Sequence, residues 1–403
     1  MTAGVAVTGI GIVSPFGQGV EPLESGLLAC RSCLERSDIF EADFDFARTV
    51  AEVRVPLDAL EPRPGFRFSR TDRLALLAAR DAETQVAGRC SDFEESGVAI
   101  ATTVGGLSNV RPAIATHPRE YYRSGGFSAA APYPRGHVVD VVACHLGLRG
   151  PRLGLNVACA SGAMAIALAA EMILDGSAPM MLAGGSDALC EFTLGGFHSL
   201  QALDPEPCRP FDRNRNGLNL GEGGAILVLE ELGRAQARGA RIWAVLRGWG
   251  MTNDAFHLTA PHEDGAGLAA SIARALEMAR VEPGDVGYVN AHGTGTPAND
   301  IAEANAYAAA FGGCQRPVPV SSTKSHIGHT LAAAGAIEAV ITILSLQLGV
   351  LFPTLRLADP IDCPPVDWLR GDPRRQPINL ALTASAGFGG TNTSLLFQNP
   401  EAL

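Results

Sequence analysis

The chain has 403 residues and a mass of 42.0 kDa, with 47% hydrophobic and 18% charged side chains and a formal charge of −11. A chain of this kind buries a large core, which excludes disorder. An acidic balance without Lys/Arg runs argues against nucleic acid or a membrane surface as partner. The nine cysteines are scattered, and Cys30-x-x-Cys33 has no second pair or His cluster beside it. No metal site is therefore expected, and the thiols fit a reducing, cytoplasmic setting. The N-terminal MTAGVAVTGIG has no basic stretch followed by a long apolar one, so no secretory leader is expected.

In chain order, short apolar runs alternate with longer Ala/Leu-rich runs. Strands are predicted over Val5–Ile12, with Gly9-Ile10-Gly11 as its ending turn, and over Gly97–Thr103 and Leu153–Val157. Two more are predicted over Met180–Ala183, ending in Gly184-Gly185, and over Ala225–Glu230. Helices are predicted over Thr71–Val86 and Ala158–Leu174. The second half repeats the theme. Strands are predicted over Val245–Trp249, ending in a Gly248-Trp249-Gly250 turn, and over Val286–Ala291, Val318–Ser321, Leu380–Ser385 and Thr393–Phe397. Its helices are Gly265–Ala279, Asp300–Phe311 and Thr330–Leu348. This alternation predicts an α/β fold, and the similar element order predicts an internal duplication. The join falls near Glu231–Arg241, giving halves 1–235 and 236–403. Residues 40–70 and 111–137 read as surface excursions. The apolar stretch Ala332–Leu351 carries Glu338 and Gln347, so it reads as a buried helix rather than a membrane span.

Of the 31 basic side chains, 30 are Arg and one, Lys324, is Lys. A sequence that uses Arg almost everywhere keeps Lys where a compact ammonium is needed and a planar fork does not fit. Glu338, inside an otherwise apolar helix, needs a partner, and Lys324 is the obvious one.

Four segments could carry chemistry. Cys159 follows a strand and opens a small-residue helix in Asn156-Val157-Ala158-Cys159-Ala160-Ser161-Gly162, where a helix end favours the thiolate. His292 lies on a strand-to-helix loop, Asn290-Ala291-His292-Gly293-Thr294-Gly295-Thr296-Pro297. Loops of this kind expose functional groups at strand C-termini. His329 lies on a similar turn five residues after Lys324, with His326 as its rival. His117, His137, His145, His198, His257 and His262 have no such setting and read as surface or structural. Finally, Ala386-Gly387-Phe388-Gly389-Gly390-Thr391-Asn392 is a Gly-rich turn able to point backbone N–H groups at an anion. Nucleotide-type phosphate loops are absent from the sequence.

The order Cys159, His292-Gly-Thr-Gly-Thr, Lys324-Ser-x-x-Gly-His329, Gly387-Phe388-Gly389-Gly390-Thr-Asn resembles the elongating β-ketoacyl–acyl-carrier-protein synthases. Arg209-Pro-Phe-Asp212 and Gly221-Glu222-Gly223 strengthen the resemblance, which runs from Val5 to Phe397. It implies the thiolase fold: two βαβαβαββ halves in a five-layered αβαβα sandwich, dimeric with an identical chain or a paralogous chain-length factor. It implies that Cys159 takes an acyl chain as a thioester from an acyl carrier protein. His292 and His329 would polarise the malonyl thioester, and the N–H groups of Cys159 and Phe388 would hold the oxyanion. Lys324, held by Glu338, would fix His329 electrostatically. Glu303 would be structural, Phe388 a gate, and Thr294 and Thr296 contacts for the phosphopantetheine arm. No bound cofactor is expected, since that arm arrives on the carrier protein.

The resemblance has departures. The nucleophile segment reads Val-Ala-Cys-Ala-Ser, the loop Ser199–Arg209 is short, and Asn216-Gly-Leu-Asn-Leu replaces a more usual Asp-Gly-Phe-Val-Met. They point to a specialised ketosynthase, of a type II polyketide or polyene kind. A non-catalytic chain-length factor is disfavoured by Cys159. A degradative thiolase is disfavoured by Phe388 where that chemistry uses a second Cys, and an initiating Cys-His-Asn enzyme by His329. An acidic carrier protein needs a basic patch. Arg63, Arg67, Arg70 and Arg73 form the densest cluster, followed by Arg209, Arg213 and Arg215.

Overall fold

The computed structural model describes residues 4–37, 49–57, 67–86, 90–107 and 137–402. Its first half runs β1 (Val5–Ser14), α1 (Arg70–Thr84), β2 (Gly97–Ala101), α2 (His137–Leu146), β3 (Arg152–Leu155), α3 (Ser161–Leu174), β4 (Met180–Asp187) and β5 (Gly223–Glu231). The second half runs β6 (Ala244–Asn253), α4 (Ala266–Ala279), β7 (Tyr288–Asn290), α5 (Pro297–Phe311), β8 (Val318–Ser321), α6 (Ala334–Leu348), β9 (Leu380–Gly387) and β10 (Thr391–Gln398). Both are βαβαβαββ, as the resemblance implies.

Strand pairing repeats as well. In each half the second strand lies parallel between the third and fourth, and the fifth runs antiparallel between the fourth and the first. The two halves meet where Val5 and Val7 of β1 pair with Leu246 and Ala244 of β6. Alternate residues of β2 face opposite sides. Val98 and Ile100 join a core with α1 and α2, whereas Ala99 and Ala101 join one with α3. In the second half Val289 and Leu382 pack against α4 and α5, while Tyr288 and Ala381 face α6. A strand covered on both faces is apolar at every position, which is why these strands read as continuous runs rather than alternating ones.

Helices α3 and α6 form the middle layer between the two sheet halves. Every residue of α6 from Ala334 to Leu346 is buried, and a helix apolar all round belongs inside a protein. The run Leu331–Leu348 is long and apolar enough to cross a membrane, but 89% of it is buried in this core.

The predicted glycine turns are corrected. β1, β4 and β6 run straight through Gly11, Gly184 and Gly250 and do not end there. A Cβ on Gly11 would lie 1.7 Å from the Ala78 carbonyl oxygen of α1, and one on Gly250 would lie 1.9 Å from the Ser271 oxygen of α4. These glycines let a helix backbone rest against the sheet. Most of the two predicted excursions falls outside the described residues.

Candidate functional site

Cys159 stands on a sharp elbow. Ala158 adopts a left-handed backbone (φ 53°), and α3 begins only at Ser161, two residues later than the thiol. The Ser161 hydroxyl locks this elbow, accepting from Val157 N–H at 2.8 Å and donating to the Ala158 carbonyl at 2.5 Å. The expected stabilisation of the thiolate is outweighed. Burial pushes the Cys159 thiol up to about 12, against the Lys324 ammonium and the Phe388 N–H, which pull it down. The resting group is therefore a thiol rather than a thiolate.

The His292 loop follows β7 and is pinned from α5. The Glu303 carboxylate accepts from the N–H groups of His292 and Gly293, both at 2.7 Å, from Tyr307 Oη at 2.6 Å and from Asn299 Nδ2 at 3.0 Å. Burial pushes the Glu303 carboxyl up to about 7, and the Tyr307 hydrogen bond opposes the shift.

Lys324 is buried in an ion pair with Glu338, and its Nζ lies 3.2 Å from His292 Nδ1. Burial pushes Glu338 up to about 7 while Lys324 pulls it down. An ammonium only donates, so His292 Nδ1 accepts and its ring proton is on Nε2. His329 reaches the same state differently, because its Nδ1 accepts the Leu331 N–H at 3.2 Å. The electrostatic link expected from Lys324 to His329 is present. Sequence reasoning missed the direct contact of Lys324 with His292. Burial first and then Lys324 hold both imidazoles well below the usual histidine range, so both are neutral Nε2–H donors. The two rings stand 5.2 Å apart and nearly perpendicular, at 85°. His326, the rival, faces the carbonyls of Arg31 (3.0 Å) and Pro353 (2.9 Å) and is structural.

The Phe388 N–H is close enough to the Cys159 thiol to favour its ionised form, and the Phe388 ring stacks on Phe197 with centroids 5.6 Å apart. Gly389 and Gly390, both left-handed, turn the loop so that this N–H faces inward. A cavity of about 310 Å³ opens above, lined by the thiol, both imidazoles, Thr294, Thr296 and Phe388. The two threonine hydroxyls are 2.9 Å apart. Cys159 Sγ and one nitrogen from each imidazole lie within 4.8 Å of one another. A thiophilic divalent metal could find three ligands there, and among the described residues no other group of three does so.

The Arg clusters take other positions. Arg63 lies outside the described residues, and Arg67 is exposed. Arg70 grips buried Glu222 through two hydrogen bonds and donates to the Val53 carbonyl. Arg73 donates to the Leu57 carbonyl and lies over the Phe68 ring. Arg70 and Arg73 thus tie the fold together rather than forming an open row. Arg213 is exposed but paired with Asp359 and Asp362, Arg209 is half-buried, and the Arg215 side chain is largely buried against Asp300. Sequence reasoning also missed Phe197, Asn219 and Asp187. Asn219 receives the Cys208 N–H at 2.7 Å, and its carbonyl takes the His329 N–H at 2.8 Å. An acid ending an apolar strand, as Asp187 does, was the available signal.

Residues 2–235 match the family described as β-ketoacyl synthase, N-terminal domain, and residues 243–358 match its C-terminal domain. The chain is 37% identical to the 3-oxoacyl-[acyl-carrier-protein] synthase 2 of Vibrio harveyi, with 98% of each chain covered. It is 33% identical to the tetracenomycin polyketide synthase ketoacyl synthase alpha subunit of Streptomyces glaucescens, covering 98% of this chain and 97% of that one. Among solved structures, the ishigamide ketosynthase/chain length factor superposes with a TM-score of 0.90 at 31% identity, covering 99% of this chain and 100% of that one. A ketosynthase in complex with its chain length factor from Xenorhabdus doucetiae gives 0.85 at 28% identity, with 98% of each covered. A Cys-His-His site on a doubled βαβαβαββ frame, matched over nearly its whole length, places this chain in the β-ketoacyl synthase family as a carbon–carbon bond-forming condensing enzyme of the thiolase fold.

Proposed function

We propose that the chain performs decarboxylative condensation in fatty acid or type II polyketide elongation, with the growing acyl chain held on Cys159. The observation that carries this is the meeting of one thiol, two neutral Nε2–H imidazoles and the Phe388 N–H at the floor of one cavity. The Cys159 sulfur attacks the thioester carbonyl of an acyl carrier protein, and the carrier thiol leaves with the proton. The Cys159 and Phe388 N–H groups receive the oxyanion. Malonyl carrier then places its thioester oxygen against the two Nε2–H groups. The bond to its carboxylate breaks, carbon dioxide leaves, and the electron pair becomes an enolate that both imidazoles stabilise. The enolate carbon attacks the acyl carbon, the bond from that carbon to Cys159 Sγ breaks, and the released thiolate takes up a proton from solvent to restore the thiol. Neutral imidazoles suit this role, because they donate hydrogen bonds without trapping the enolate as a proton acceptor.

Lys324 and Glu338 set the His292 tautomer, and Glu303 sets its loop. Thr294 and Thr296 line the way in and suit the amides of a phosphopantetheine arm delivered by the carrier. Residues 1–235 then carry the nucleophile and 236–403 both imidazoles, working in the cytoplasm as a homodimer or beside a paralogous chain-length factor. Ketosynthase/chain length factor structures among the neighbours favour the second pairing. Arg67 and Arg209 remain our docking residues for the carrier, and Arg213 a weaker one.

The test is intact mass of the purified chain after a panel of acyl carrier proteins, then malonyl carrier. Acylation of wild type but not Cys159→Ala, followed by a β-ketoacyl carrier two carbons longer, is expected. Acylation without extension identifies the heterodimer subunit. No acylation from any donor overturns the nucleophile assignment.

A further inference from the structure

Asp187 ends β4 and is fully buried. Its Oδ1 accepts from Thr102 Oγ1 (2.5 Å) and from the N–H groups of Thr103 (3.0 Å) and Val104 (2.9 Å). Its Oδ2 accepts from Thr103 Oγ1 (2.5 Å), Thr103 N–H (3.1 Å) and Ala332 N–H (2.8 Å). A backbone N–H meets each oxygen, so only an acceptor at both positions satisfies the site. The proposed mechanism gives this carboxylate no role.

The duplication supplies one. Asp187 ends the fourth strand of its half as Gly387 ends the fourth strand of the other. Ala158 and Leu331 each stand three residues before the middle-layer helix of their half, and both are left-handed, at φ 53° and 55°. The residue after each is therefore equivalent: Cys159 in one half, Ala332 in the other. In the first site a Cβ on Gly387 would sit 3.1 Å from the nitrogens of Cys159 and Ala160 and from the Val157 oxygen, so the glycine leaves the Cys159 N–H uncovered. In the second, the Asp187 side chain covers the equivalent N–H, that of Ala332.

We propose that Asp187 is an internal anion seated in a second, vestigial oxyanion hole, and that it acts as a positioning residue for His329. It clamps Ala332, which keeps neighbouring Leu331 in its left-handed conformation, a state that costs a non-glycine residue stability. Leu331 in turn aims its N–H at His329 Nδ1 and so leaves the ring proton on Nε2. This rests on the reading of His329 given above.

The experiment is chemical rescue. Asp187→Ala removes a carboxylate and keeps the Cβ, leaving a gap the size of formate. Condensation by the variant is expected to fall about a hundredfold, the scale of losing one oriented donor. Acylation of Cys159 should stay within about threefold of wild type, and millimolar formate should restore condensation at least tenfold without affecting wild type. Unchanged condensation, or a folded variant that formate does not rescue, overturns the proposal. Wild type provides the arm that does not depend on the variant folding. With ¹⁵N-histidine labelling, and His329→Gln to assign the signal, His329 must show an Nε2–H tautomer, and an Nδ1–H tautomer overturns the clamp. If His329→Ala condenses normally, the His329 assignment falls, while the tautomer and its dependence on formate still decide the role of Asp187.

Discussion

The two halves share element order, strand order and the glycine that admits the first helix, yet they do different work. The fourth and fifth strands show why. In the second half they are joined by Phe388-Gly389-Gly390 alone, a turn tight enough to bring a backbone N–H within influence of the thiol. In the first half the same connection spans residues 188–222 and folds over the cavity, contributing Phe197, Leu200 and Leu218 to its wall. In the proposed mechanism one copy supplies the oxyanion turn and the other the chamber. Cys159, the proposed nucleophile, stands before α3, and His329 stands before its counterpart α6. Duplication thus brings two equivalent helix ends together across the middle layer, and divergence gives each a different group.

The sharpest way to break this comparison is to remove what is unique to one half. Cys159→Ala should abolish the acyl adduct and reduce condensation by at least about a thousandfold, since among the described residues no second thiol lines the cavity. His329→Ala and His292→Ala should each lower condensation about a hundredfold or more, roughly 3 kcal/mol, in steady-state kinetics with acylation far less affected. If only one imidazole matters, the paired-donor reading fails.

Lys324→Ala tests what holds the second half's site together. It strands buried Glu338, and breaking a buried pair from one side costs about 3 kcal/mol or more. Chemical denaturation should show the loss. Lys324→Arg should not restore function, because the longer planar fork does not fit between Glu338 and His292. Gly11→Ala and Gly250→Ala test the shared frame. Each puts a methyl into helix backbone, at 1.7 and 1.9 Å, and should cost about 1–3 kcal/mol. Gly176→Ala, at a turn glycine with open space around it, should lose less, only the strain of a positive φ. Equal melting shifts for all three would remove the argument for helix-on-sheet contact.

Much of this was legible in the sequence where a residue type was constrained by chemistry. Lys324 stood out as the sole lysine, and Glu338 as a carboxylate in an apolar helix, so their pairing followed from the cost of burying charge. The glycines misled for a physical reason. A turn and a close helix contact both select glycine, and only the three-dimensional neighbours (Ala78 for Gly11, Ser271 for Gly250) tell them apart. Arg70 misled likewise. Four arginines in a short span look like a surface patch, but the partner of Arg70, Glu222, lies 152 positions away in the chain. Asp187 escaped because its donors come from the segments at 102–104 and 332, which no local pattern connects.

The last expectation concerns the thiol itself. Two influences compete at Cys159: the end of α3 and the Lys324 charge favour the thiolate, and burial opposes it. Burial wins, at about 12. Alkylation of Cys159 by iodoacetamide should therefore rise about tenfold per pH unit from pH 6 to 9 with no plateau, as the thiolate fraction of a high-pKa thiol does. The imidazoles shift the opposite way. Their folded values lie below 6.5, so they stay neutral as pH falls through 6.5, while an unfolded chain would take up protons there. Stability from these two groups is present above pH 6.5 and declines below it, yet the donor array survives as long as the fold does. A plateau in alkylation near neutrality would show that the helix end prevails after all, and the elbow at Ala158 would then hold a preformed thiolate rather than a thiol awaiting its substrate.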